Sequence, residues 1–220
     1  MVTRSRFLVG AILVAFLSGC SSTGYDKAAG TSASLQKAAQ DIDTGAARID
    51  AVLAALTDLV NNPAADLKPQ FKTFVSAMEQ IESLPAIVRD RAAEAQQRGA
   101  EYSRKWDEEL AKMQNEEIRA RSAQRRNAVN IRFEQARASY EQARAAFGPF
   151  LSDLRDIRTA LSADLTLDGL AAIRQVVAKA SKDAEPLRTA LAKLSEDFRD
   201  LGASLSTATS RPAATSAANK

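Results

Sequence analysis

From residue 35 to residue 205, apolar side chains recur at alternating steps of three and four, in four successive stripes. The first runs Leu35, Ala39, Ile42, Ala46, Ile49, Leu53, Leu56, Val60. The second runs from Leu67 through Phe71, Phe74, Met78 and Ile81 to Trp106 and Met113. The third runs from Val129 through Phe133, Tyr140, Phe147 and Phe150 to Leu161, and the fourth from Leu170 to Leu205. A 3.5-residue period marks one face of a helix and is incompatible with the two-residue period of a strand. One such helix alone would leave a hydrophobic seam in water, so the stripes must bury one another. Short links between them make neighbours antiparallel. The pattern predicts an all-α fold: an elongated antiparallel helical bundle of three to four long helices with coiled-coil packing.

The interruptions set the boundaries. Asn61-Asn62-Pro63 ends the first helix, because proline lacks a donor and disfavours helix in the residue before it. Pro69 suits a first turn. Pro85, Gly148-Pro149 and Pro186 fall inside stripes without shifting their phase. They read as kinks or, at Pro85, as a short break between stacked segments. Asn115-Glu116-Glu117 has the chemistry of a helix start. It places a turn near residues 113–116, the alternative being one uninterrupted helix. Thr166 or Asp168 would cap the last helix. A turn at 114 or 115 sets Ala92, Ala95 and Gly99 opposite Phe133 and Tyr140, small against large. Helices two and three, at ~45 residues each, would be ~65–70 Å long. Helix one is shorter and expected to cover only the end nearest the N-terminus.

Composition narrows the chemistry. The 220 residues contain no histidine and one cysteine, Cys20. The commonest general base and metal ligand are therefore missing, and an internal disulfide or CxxC site is impossible. Neither a glycine-rich phosphate loop nor a GxSxG motif follows Cys20. Asp107-Glu108-Glu109 and Glu116-Glu117 are carboxylate clusters, but without histidine they cannot build the Glu-x-x-His sites of di-iron bundles. They read as a solvated face. The sequence predicts no enzyme, no cofactor, no metal and no small-molecule substrate.

The N-terminus speaks of location. Arg4 and Arg6 precede an apolar run, residues 7–17, of secretory-signal length and too short to span a bilayer. It ends in Leu17-Ser18-Gly19-Cys20. This resembles the lipobox of bacterial lipoproteins. The resemblance implies cleavage before Cys20, a diacylglycerol on its sulfur and acylation of the new α-amino group. The partner so implied is a membrane, with the protein facing the periplasm. Ser21 and Ser22, in place of aspartate, favour the outer over the inner membrane. The formal charge of +3 falls to about +1 without Arg4 and Arg6, so the basic pI does not argue for nucleic acid. The expected organisation is a signal peptide at 1–19, a flexible tether at 20–33, a bundle at 34–206 and a disordered tail at 207–220. The lipid would lie at one end and a two-helix tip at the other.

Two features of that tip are candidate contacts. Arg119, Arg121, Arg125, Arg126 and Arg132 either meet anionic lipid, peptidoglycan or another envelope protein, or pair with Asp107, Glu108 and Glu109 across the hairpin. Tyr102 and Trp106 are either the aromatic plug of a narrow tip or an exposed docking site. The stretches NNPAADLKPQF (61–71), YSRKWDEELAKMQNEEIRARSAQRR (102–126) and FGPFLSDLRDIRTALSADLT (147–166) are similar to an uncharacterised proteobacterial family of lipoproteins, classified as a domain of unknown function. That resemblance implies a helical, coiled-coil-containing protein and carries over no catalytic residue. The function expected is a lipid-anchored scaffold or adaptor of the cell envelope. The alternative is a membrane-surface or peptidoglycan-binding module using the Arg-rich tip.

Overall fold

The computed structural model describes residues 23–206. They form five helices: α1 (Gly24–Asn61), α2 (Lys68–Glu82), α3 (Leu84–Leu110), α4 (Glu116–Ala163) and α5 (Leu167–Leu205). Helices α2 and α3 stack end to end as one rod, so five helices make four rods. The rods run up, down, up, down, and α1 closes the ring by packing on both α5 and α2–α3. The all-α antiparallel bundle is thus as the stripes predict. At 48 residues, α4 is about 72 Å long. Cross-links at several levels fix the register. Ser34 donates to Glu94, Arg91 to Asp41 and Arg48 to the Gln80 carbonyl between α1 and α2–α3. Between α4 and α5, Ser139 meets Asp197 and Lys179 meets Asp153.

The core follows the stripes. Leu35, Ile42, Ile49 and Leu56 of α1 are fully buried, as are Phe74, Met78 and Ile81 of α2, Phe150 and Leu154 of α4, and Leu187, Leu191 and Leu194 of α5. The interruptions behave differently from one another. Pro149 and Pro186 sit inside unbroken helices; neighbours packed along the rods hold them through one lost backbone bond. Pro85 falls at the first turn of α3, after a break at Ser83. The Gln80 carbonyl there accepts from Arg48 and from the Ser83 hydroxyl. The break drives buried Leu84 against Gly45 of α1, where a Cβ would collide with its methyls. Asn115 caps α4, its Oδ1 accepting from the Ile118 N–H at 3.0 Å, so the hairpin turns at 111–115. Thr166 caps α5 through the Gly169 N–H.

Three expectations are corrected. The stretch assigned to a tether, 20–33, is helical from Gly24 onward. Thr23 and Asp26 form a reciprocal capping box, which satisfies two orphan donors at the helix start. Ala28, Thr31 and Ser32 are buried. Thr31 donates to the Lys27 carbonyl, and Ser32 to the Gly202 carbonyl of α5 at 2.7 Å. Small residues here make a close-packed seam: a Cβ on Gly202 would stand 3.2 Å from the Ser32 carbonyl oxygen. In consequence α1 is 38 residues long and lines most of the bundle, not one end of it. The third correction concerns the tip. Lys27 of α1 pairs with Glu101 of α3, and Arg125 of α4 reaches the Ser204 carbonyl near the end of α5. The α3–α4 turn therefore projects at the same end as the start of α1. An up-down-up-down order requires this, because the second rod returns to where the first began.

Candidate functional site

The lipobox residues Leu17, Ser18, Gly19 and Cys20, the proposed signal peptide and the proposed tail lie outside the described residues. The candidate contacts within them gather at the hairpin tip. Helices α1 and α5 end near the level of Arg104 and Arg125, and beyond them α3 and α4 continue as a pair. From residue 100 to residue 128 no side chain is fully buried; Gly99 and Val129 are the last buried positions on the two helices.

Tyr102 and Trp106 are half-buried and packed together, ring centroids 5.3 Å apart and tilted by 55°. The indole N–H donates to Ser122 of α4 at 2.8 Å, and Ser103 donates to Asn130 at 2.7 Å. Burial pushes the Tyr102 hydroxyl up, against the pull of Arg125 nearby. The two rings close the tip with the indole N–H satisfied by Ser122, as amphipathic aromatics do at a half-wet seam.

The arginines have partners of their own. Arg126 pairs with Asp107 across the hairpin, while its Nε is a buried donor left without a partner. Arg119 lies near Glu116 and donates to the Met113 carbonyl; Arg121 grips Glu117. Arg125 and Arg132 donate to the carbonyls of Ser204 and Asp200, near the negative end of the α5 dipole. Of the three clustered acids, only Asp107 binds across the hairpin. Glu108 takes Arg104 and Lys105, and Glu109 takes Lys105 and Lys112, all within a turn. Bonding from Lys112 and Lys105 holds the Glu109 carboxyl below its usual range, and bonding to Glu108 and Glu109 raises the Lys105 ammonium. Among the described residues no three His, Cys, Asp or Glu side chains group as metal ligands.

Sequence reasoning missed Ile118. It stands eleven residues, three helical turns, before buried Val129 and so shares the core-facing side of α4. It is 58 % exposed because α5 stops short of it. The three-turn spacing was legible; the loss of cover was not. Higher up, the α3–α4 seam opens into a groove of about 700 Å³. Ala92, Ala95 and Gly99 face Phe133, Ala136 and Tyr140 across it, as the register predicted. Phe133 lies so close to Gly99 that an added Cβ would be 2.6 Å from its ring. Arg89, Glu134, Arg137, Glu141 and Arg144 form the rim.

The chain matches the family model described as Protein of unknown function (DUF2959) over residues 16–199. The chain belongs to this family. Membership spans α1 to α4 and nearly all of α5, so the bundle with its tip is the family domain. No curated protein and no solved structure matches the chain. No described helix is long and apolar enough to cross a membrane.

Proposed function

We propose that this DUF2959 member is a lipid-anchored, non-catalytic scaffold of the bacterial cell envelope, held at the membrane by Cys20 and facing the periplasm. The observation that carries the reading is the nearness of LSGC to a capped helix. Only Ser21, Ser22 and Thr23 separate Cys20 from Gly24. A lipid on Cys20 would thus be coupled to a rigid rod instead of a loose tether. The α1–α2 and α4–α5 links would stand about 55–70 Å from the anchor, by helix rise. A body of that kind holds partners at a set height. Ser21 and Ser22, in place of aspartate, favour the outer membrane over the inner. The absence of histidine and the single cysteine support a structural role over catalysis.

Fractionation tests the anchor. The parent chain should sediment with membranes, and Cys20→Ala should move to the soluble periplasmic fraction. A variant as membrane-bound as the parent would sink the reading. Density separation of the two membranes tests the sorting.

A further inference from the structure

We propose that the hairpin tip, residues 100–128, lies in the headgroup layer of the membrane that holds Cys20, with the uncovered end of the core stripe as its contact face. The proposal rests on the anchor reading above. Three observations meet here.

The first is placement. Lys27 is level with Glu101, so Gly24 is level with about Arg104, and Leu110 reaches about 9 Å further by helix rise. The four steps from Cys20 to Gly24 span at most about 14 Å. With the turn at 111–115 added, the tip extends to the depth at which an attached lipid begins.

The second is the face itself. Tyr102 and Trp106 near the end of α3, Met113 in the turn and Ile118 on α4 carry the buried stripe to and past the ends of the helices that would cover it. Tyr25, 66 % exposed, stands at the same end. Tyrosine and tryptophan, with apolar rings and polar edges, favour the membrane–water interface.

The third is charge. Residues 104–126 carry seven cations and five carboxylates, and each carboxylate is ion-paired: Asp107, Glu108 and Glu109 as above, Glu116 with Arg119 and Glu117 with Arg121. No unpaired acid opposes the approach, and the residual positive charge suits anionic headgroups.

Trp106 is the sole tryptophan, so intrinsic emission reports the tip alone. The full lipidated chain would be reconstituted in phosphatidylcholine–phosphatidylglycerol vesicles carrying brominated lipid. Leu167 is 65 % exposed at the far end of the bundle. Because lipidation caps Cys20, a Leu167→Cys thiol can be labelled singly as a control. The expected result is loss of most Trp106 emission to brominated lipid, shielding from iodide, and an unquenched label at position 167. Ile118→Glu should restore Trp106 emission while the protein still floats with vesicles. Trp106 unquenched in protein that co-floats would overturn the proposal and leave the anchor standing. Shielding from iodide without lipid quenching would assign the face to a second copy or another protein, and also overturn it. If the parent floats no better than Cys20→Ala, the anchor reading fails and this proposal falls with it.

Discussion

The body of the bundle and its tip are built from the same two helices, yet they obey different rules. Between Leu84 and Gly99, α3 sends Leu84, Val88 and Ala95 into a core closed by α1. Beyond about Arg104 the same stripe has only α4 beside it, and from residue 100 to residue 128 no side chain is fully buried. Ion pairs within a turn occur in both regions, but cross-helix pairs concentrate in the body. In the body, Asp41, Asp43, Asp50 and Asp153 bind cations on other helices. In the tip, most carboxylates bind cations within a turn of their own helix. Apolar periodicity therefore specifies a helix face, while the number of neighbours decides whether that face becomes core. Two helices cannot dry a seam that four can.

Substitutions separate the regions by size of effect. Phe150→Ala in the body should destabilise the chain by about 3–5 kcal/mol, as large-to-small changes at closed sites do. Gly45→Val should cost about 1–3 kcal/mol by overpacking against Leu84. Tyr102→Ala at the tip should cost less than half the Phe150→Ala value, in denaturant unfolding of the same full-length chain. Equal costs at positions 102 and 150 would erase the distinction drawn between tip and body. Thr23→Ala removes the cap of α1 and should cost about 1 kcal/mol; a silent substitution would return residues 24–33 to a tether.

Acid gives the smallest effect and a sharper one. The Ser34 hydroxyl, then Arg98 and Arg91, hold the Glu94 carboxyl below its usual range, against its partial burial. Its contribution to the α1–α3 seam is complete above the ordinary glutamate pKa, about 4.3, and is lost as pH falls through the lower folded value. Thermal unfolding of Glu94→Gln should therefore lose part of the parent's acid sensitivity below about pH 4. A variant with the parent's full pH profile would show that Glu94 does not link these helices.

Much of this was legible in the chain. The stripes gave the rods, Asn115 and Thr166 gave two helix starts, and the register across the hairpin set Gly99 against Phe133. What escaped was small-residue packing. Ala28, Thr31 and Ser32 have the composition of a linker, but hydroxyls bonded to carbonyls and a glycine opposite turn that composition into a tight seam. The position of the tip escaped because it depends on how far α1 and α5 extend, not on the tip's own residues. Ile118 escaped for the same reason.

Peptide-resolved hydrogen exchange on the full-length chain tests the division most directly, because both regions lie on the same continuous helices. The account predicts that amides of residues 100–128 exchange through low-cost local opening, well ahead of 84–99 and 129–161, which open only with the bundle. Protection at 100–128 equal to that of the flanking segments would contradict it.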